Sequence, residues 1–526
     1  MNSAARPVTT PTSAPPTAGP REWSALAVLT LPVMLISVDM TVLGFAVPHL
    51  SEDLAPTGTQ LLWIVDIYSF VLAGLLVTMG TLGDRIGRRR LLLLGSAGFG
   101  AASLLAALSP TAEILIAARA LLGLAGATLM PSTISLIRNT FLDRRQRLLA
   151  IALWASMFSA GSALGPLVGG WLLERFYWGS VFLINLPVMA LILLLIPLLV
   201  RESRDPAPGR YDLPSAALSL LAVLPVVYAV KRLAEGGSPV VAAAAAAFGA
   251  VAGYVFIRRQ LRLPDPLIDV RLFRVRAFSV AVATNLMVVF AMVSALFFLT
   301  QYLQLVLGMS PLRAGMVLLP GAALSVAAHF VAVALARRVS MGTAIFAGLT
   351  LAAAGFAVFT QLPLSGGVLP VVVGFAAISA GVGLSDTLTN DAIMAAAPPE
   401  RAGAAGAISE TAYELGGALG VAVLGSVLTA SYQARIAAPD GVAGPALDAA
   451  RETLGGAVTA AQGLAPDTAA ALVDAARVAF TGGIHLTSAI ATVIVLYAAV
   501  QAGLLLRRVG GRPGRDSRTG DGAAGD

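Results

Sequence analysis

The chain contains no cysteine in its 526 residues. Disulfide staples, thiolate nucleophiles and cysteine metal sites are therefore excluded. Histidine is also scarce, with three scattered residues and no HExxH pattern, so a histidine-built metal centre is not expected. A single lysine, Lys231, follows Val230. The Gly-Lys-Ser/Thr loop that cradles nucleotide phosphates is thus missing, and ATP hydrolysis by that device is excluded. Charge is thin throughout: Asp, Glu, Lys and Arg make up 12% of the chain, against roughly 25% in soluble domains. Residues 1–22 are rich in Pro, Thr, Ala and Ser. They read as a disordered tail rather than a signal peptide, because the apolar stretch behind them is too long and lacks a cleavage site.

What remains is apolar. Hydrophobic residues make up 57%, and they come in long runs. The stretch at 181–200, VFLINLPVMALILLLIPLLV, holds no charge, and a run of that length spans a bilayer as a helix. Only helices and closed barrels satisfy the backbone in lipid, and barrel strands would alternate polar with apolar residues. These runs do not alternate, so the expected fold is an all-α polytopic membrane protein. Fourteen spans are expected: 23–48, 59–80, 90–108, 113–137, 147–173, 179–200, 212–230, 239–257, 276–302, 311–335, 342–360, 367–397, 402–430 and 480–506.

An even number of spans puts both termini on one side. With the termini inside, 27 of the 35 Lys and Arg residues fall on inner segments or at their span ends. Seven are on the outer side, and Arg119 lies within a span. This asymmetry predicts cytoplasmic termini in the cell membrane. It also accounts for the net charge of +7 without a nucleic-acid partner. The segment 431–479 then faces outward, with small and polar residues suited to short amphipathic helices.

The chain repeats itself. GSALGPLVGG at 161–170 shifted by 255 residues falls on GGALGVAVLG at 416–425. Gly161, Ala163, Leu164, Gly165, Val168 and Gly170 each meet an identical residue. The same shift lays spans 1 to 5 on spans 9 to 13. It also lays GTLGDRIG (80–87) on LARRVSMG (335–342). The expected organisation is a six-helix half at 23–200, an inserted pair with linkers at 201–275, and a second half at 276–506 with the 431–479 loop. A second disordered tail occupies 507–526. Parallel halves around a central site are the plan of alternating-access carriers.

Several motifs carry a resemblance. GTLGDRIGRRR (80–90) resembles the inner-loop signature of the major facilitator superfamily, and RALLGLAGA (119–127) its fourth-helix motif. GSALGPLVGG (161–170) resembles the fifth-helix motif of that superfamily's antiporters. DMTVLGFAVP (39–48) resembles the first-helix motif of its fourteen-span drug:proton antiporters. WIVDIY (63–68) and SETAYELG (409–416) look like pumps that export quaternary ammonium compounds. The resemblance covers roughly residues 23–430 and the final span. It implies an exporter of small drugs, driven by the proton gradient with no cofactor, and not an enzyme; the single chain is expected to be the working unit. A dedicated exporter of one metabolite or endogenous antibiotic is the alternative.

The motif residues have expected roles. Asp84, Arg85 and Arg88, with Gly80 and Gly87, are expected to form the conformational latch that the resemblance implies. Gly161, Gly165, Pro166, Gly169 and Gly170 permit close packing and a proline bend, which would set a gating interface. Arg119, to which the resemblance gives a proton-relay or coupling role, lies inside a span and needs a carboxylate or several carbonyls. Asp39 is nine residues from the end of the first span, about 13 Å along the axis, hence near mid-membrane. Asp66 is roughly two turns into the second span. Such carboxylates are expensive in lipid unless they face water, hold a proton or have a partner, so drug and proton could compete for them. Glu410 and Glu414 are four apart, on one helix face. Asp386 is deeper in the twelfth span than Asp391, which is expected to be solvated. His329 reads as a packing residue that could titrate. Trp63, Tyr68, Trp154, Tyr302 and Tyr413 are candidates to line an aromatic cavity. Trp23, Trp171 and Trp178 are expected at the membrane interfaces.

Overall fold

The computed structural model describes residues 17–204, 212–234, 237–264, 266–335, 338–365, 367–396, 402–437, 439 and 442–506. The expected terminal tails lie outside these residues apart from 17–22, of which Pro20 onward is already helical. The described residues are helical, with no strand among them. In chain order the helices are α1 (Pro20–Leu54), α2 (Gly58–Ile86), α3 (Arg88–Ala107), α4 (Ala112–Thr140) and α5 (Arg144–Arg175). Next come α6 (Ser180–Leu183) and α7 (Asn185–Leu199), which together make the sixth span. They are followed by α8 (Leu213–Ala234), α9 (Pro239–Arg262), α10 (Arg276–Gln301), α11 (Pro311–Leu335), α12 (Met341–Phe359), α13 (Leu369–Ala396) and α14 (Ala402–Arg435). Two short helices, α15 (Pro445–Glu452) and α16 (Leu454–Ala461), precede α17 (Pro466–Leu505).

Thirteen of these elements are long and apolar enough to cross a membrane, and the bent α5 makes a fourteenth. The bend lies between Leu149–Ser162 and Leu164–Arg175 and measures 41°. Its cause is local: Pro166 has no N–H for the Ser162 carbonyl, and its ring crowds that turn. Elsewhere the helix ends are set by side chains. At α2, Thr57 Oγ1 accepts the Gln60 N–H (3.2 Å) while Gln60 Oε1 accepts that of Thr57 (2.9 Å), a reciprocal capping box.

The α1–α7 and α10–α17 halves repeat the same packing. In the first, α5 lies along α1; in the second, α14 lies along α10. Gly161 and Gly165 meet the carbonyls of Met34 and Val38, and Gly416 and Gly420 meet those of Leu286 and Phe290. A side chain at Gly161 or Gly420 would drive the paired helices apart. The offset is 255 residues between α5 and α14 but 252 between α1 and α10. The single shift expected from sequence is therefore three residues out for the first helix of each half.

The termini of the bundle share one end. At the opposite, distal end, the halves touch. Thr300 Oγ1 donates to the Gly44 carbonyl at 2.9 Å, and α5 meets α11 where Gly315 abuts the Pro166 carbonyl. The expected loop at 431–479 holds α15, α16 and the first turns of α17. α17 thus begins fourteen residues before the expected span. α15 and α16 close over the distal end, where Glu452 Oε2 accepts the Gly58 N–H (3.1 Å) at the start of α2.

The inserted helices α8 and α9 form a hairpin. α8 lies in the groove between α2 and α14, hence between the halves. There Val227 packs with Phe70, Ala418 and Ala422. The terminal end of the hairpin is tied by Asp212. Burial alone would push the Asp212 carboxyl up, but the Arg259 guanidinium (2.8 Å) and Ser215 hold it below the ordinary carboxylate range.

Candidate functional site

A cavity of about 250 Å³ lies between the halves. Its wall draws on α1, α2, α4 and α5 from one half and on α10, α11, α13 and α14 from the other. Most of the wall is apolar, including Met40, Phe158, Val288, Met292 and Phe375. The charged groups on it are Asp66, Arg119, His329 and Asp386.

The expectation that Arg119 needs a carboxylate and carbonyls is met. Its Nη1 donates to Asp39 Oδ2 at 2.6 Å, its Nε to the Ile64 carbonyl at 3.1 Å and its Nη2 to that of Val65 at 3.4 Å. The guanidinium also sits 4.7 Å over the Tyr68 ring. Arg119 is 1% exposed and Asp39 5%. Asp39 reaches the cavity only through Arg119, because its own side chain is not part of the wall among the described residues. A buried guanidinium satisfied in this way ties α1, α2 and α4 together.

Asp66 is also buried, and its partner was not foreseen. Lys231, the sole lysine, places Nζ 3.0 Å from Asp66 Oδ2 and 3.1 Å from Oδ1. The same ammonium sits 4.0 Å over the Trp63 ring. The seventh span was expected to stop at 230, which left Lys231 in a loop. α8 instead runs to Ala234, and Lys231 is 1% exposed. The clue was present in sequence: a single lysine at a span end, opposite a buried aspartate in need of a cation.

The second half holds acids in a different setting. Glu414 is 1% exposed. Neither of its oxygens makes a hydrogen bond of ordinary geometry among the described residues, although the Ser69 hydroxyl of α2 is near enough to act on it. Glu410 lies one turn away and is half-buried. Among the described residues neither glutamate is part of the cavity wall; Glu414 faces Ser69 of α2, while Glu410 lies within electrostatic reach of Asp386. Asp386 does line it, with Oδ2 3.9 Å from His329 Nε2. His329 Nδ1 lies 2.6 Å from the Ser325 carbonyl, so this histidine faces an acid as well as packing. A polar chain continues from Asp386 through Asn390 to Ser409, whose Oγ donates to Asn390 Oδ1 at 2.7 Å. Asp391 is exposed, as expected.

Of the aromatic candidates, Tyr68 and Tyr413 line the cavity, and Tyr413 meets Phe158 edge-on at 6.0 Å across the two halves. The other three do not line it. Trp63 covers Lys231. Trp154 Nε1 donates to Thr133 Oγ1 at 3.1 Å. Tyr302 is buried at the distal end, where its hydroxyl donates to the Pro363 carbonyl. Trp171 is exposed, and Trp178, in the turn before α6, is buried against Phe182.

The expected latch is only partly in view. The Asp84 side chain lies outside the described residues, and Arg85 is exposed. Gly80 packs against Pro131. Among the described side chains a carboxylate at this loop is Glu202, which sequence reasoning missed. It accepts the backbone N–H groups of Arg89 (3.0 Å) and Arg90 (3.2 Å) at the start of α3, where a helix N-terminus favours an anion. Arg88 donates its N–H to the Ser203 carbonyl (2.9 Å). Gly87 has φ +109°, and a Cβ there would lie 2.6 Å from the Glu202 carboxyl carbon. These contacts tie the start of α3 to the linker that follows α7. In the fifth-span motif, Gly169 packs on Val42, while Pro166 and Gly170 contact α11 at Gly315 and Leu312, where the two halves meet.

Residues 29–421 match the family model of the Major Facilitator Superfamily, and the chain belongs to that family of membrane transporters. It is 50% identical over 488 residues to the multidrug efflux pump LfrA of Mycolicibacterium smegmatis, covering 93% of this chain and 97% of the relative. It is 39% identical to the methyl viologen resistance protein SmvA of Salmonella typhimurium, over 88% of this chain and 93% of that one. It is 33% identical to the tetracenomycin C resistance and export protein of Streptomyces glaucescens, over 92% and 91%. Among solved structures, a bacterial homologue of the human lysosomal transporter Spinster, in an inward-facing and unoccupied conformation, superposes with a TM-score of 0.61. The identity is 16%, with 92% of this chain and 98% of that one covered. That likeness concerns the fold.

Proposed function

We propose that this protein exports lipophilic and cationic drugs across the cytoplasmic membrane in exchange for protons, by alternating access. The observation that carries the reading is the cavity itself: an apolar chamber between two repeated halves, with carboxylates at its edge. An apolar wall accepts planar lipophilic bodies, and a carboxylate accepts either a cation or a proton. When one ligand must leave for the other to enter, the two fluxes are coupled. In this reading Asp66, Asp386, Glu410 and Glu414 are the exchangeable carboxylates, and the Asp39–Arg119 pair transmits their state to α1, α2 and α4. The LfrA multidrug efflux pump and the SmvA methyl viologen resistance protein, as relatives, support drug export.

The charge asymmetry of the loops supports cytoplasmic termini, so the distal end faces outward. The contacts there between α5 and α11 then close the outer side in this conformation. The proton gradient is the energy source, and each charge moved through 100 mV contributes about 2.3 kcal/mol. We further propose that the single chain is the transporting unit.

The test is reconstitution in liposomes with an imposed pH gradient, recording lumenal pH on addition of ethidium, a quaternary ammonium compound or chloramphenicol. Proton flux with several unrelated compounds is expected. Flux with one compound only supports the second reading, a dedicated antibiotic exporter, for which the tetracenomycin relative is the precedent. Flux with none contradicts both.

A further inference from the structure

The inserted hairpin has no counterpart in the repeat, yet it places the chain's only lysine against Asp66, a residue of the cavity wall. Lys231 Nζ is 3.0 Å from an Asp66 oxygen and 4.0 Å over the Trp63 ring. Trp63 and Asp66 are three apart on α2 and so share one helix face. A carboxylate beside an aromatic face is the combination that binds alkylammonium ligands: the charge is met by one and the polarisable methylene or methyl groups by the other. Asp66 also lines the cavity. The structure therefore holds an alkylammonium in a site that fits one, and the alkylammonium belongs to the protein.

We propose that Asp66 and Trp63 form the ammonium subsite of the transporter, and that Lys231 is its tethered occupant, competing with cationic substrates. This rests on the drug-export reading above. Three features support it. Lys231 is in the last turn of α8, three residues before Ala234, so a swing of its long stem away from Asp66 would carry the ammonium towards the distal interface. That end is the exit side of an exporter. And α8 lies between α2 and α14, where the halves move past one another. A substrate ammonium that reaches Asp66 sends Lys231 outward; the return of Lys231 expels the substrate on the exit side. Lys231 is thus a specificity-determining residue: it weakens binding of cations and leaves neutral compounds alone.

The singularity of the lysine makes the test clean. Purified full-length protein in detergent is acylated with N-hydroxysuccinimidyl acetate, with and without ethidium, and the Lys231 peptide is followed by mass spectrometry. Ethidium is expected to accelerate Lys231 acylation, and chloramphenicol is not. In parallel, Lys231→Met is expected to bind ethidium about tenfold more tightly, since an occluded site lowers apparent affinity by its free fraction. Its chloramphenicol affinity is expected to be unchanged, and Lys231→Arg should return ethidium affinity towards that of the wild type. Protection of Lys231 by ethidium, or ethidium binding that neither exposes Lys231 nor changes in Lys231→Met, overturns this inference while leaving the export reading in place. Failure of both proteins to bind ethidium overturns the cation reading along with it. The acylation arm uses wild-type protein, so a misfolded variant does not decide the matter.

Discussion

The two sides of the central cavity treat their acids differently. On the first half's side, each buried aspartate has a built-in cation: Arg119 at 2.6 Å from Asp39 and Lys231 at 3.0 Å from Asp66. On the second half's side, Glu414 is as deeply buried but has no such partner among the described residues, and Asp386 has a histidine at 3.9 Å. Removing a charge from water is tolerable only if something neutralises it. On the first side the fold supplies that neutralisation permanently or on a tether. On the second it is left to a proton or an incoming cation. Under the proposed exchange the labour divides: the Asp39–Arg119 pair holds helices in place, Asp66 keeps its cation on a tether, and the acids of the second half exchange ligands with no resident cation.

The sharpest way to break the comparison is to remove one member of a pair. Arg119→Leu leaves Asp39 buried and uncompensated, a loss of about 3–5 kcal/mol. A large fall in melting temperature and loss of transport are expected. Ethidium should not restore the melting temperature, because Asp39 does not face the cavity. Pairing the change with Asp39→Asn should recover stability but not flux. Glu414→Gln is the opposite case. A neutral isostere in a site without a cation is expected to leave the melting temperature unchanged or raised while abolishing substrate-driven proton flux.

Smaller effects test the scaffold. Gly161→Val would press on the Met34 carbonyl at the α1–α5 crossing, and overpacking of this kind destabilises by about 1–3 kcal/mol. A thermal melt in detergent should show the loss. Asp391→Asn, on the exposed end of α13, should change stability by less than about 0.5 kcal/mol and leave flux as in the wild type. If Asp391→Asn proved as damaging as Glu414→Gln, exposure would not be what separates the two kinds of acid.

Much of the fold was legible because hydrophobic run length speaks directly of bilayer thickness, and because the glycine motif recurs at a fixed offset. Asp39 and Arg119 could be flagged as in need of partners, since each is a lone charge in an apolar run. Their pairing could not be read: the partners are 80 residues apart, and nothing in one sequence aligns two helices axially. Lys231 was missed for a related reason. Hydropathy ends a span at its first charge, whereas α8 continues for three residues past it. The aromatic candidates failed selectively because type and depth were visible but azimuth was not. Trp63 turned to the inserted hairpin, whose position in the α2–α14 groove no periodicity foretold. Glu202 escaped notice as one acid in a polar linker.

The central claim is that the unpaired acids of the second half carry the exchange. It is tested most directly by measuring ethidium-dependent proton flux in liposomes for wild-type protein and Glu414→Gln, alongside ethidium binding to each in detergent. The account predicts flux in the wild type and none in Glu414→Gln, with the variant still folded and still able to bind ethidium. Undiminished proton flux in Glu414→Gln would contradict it.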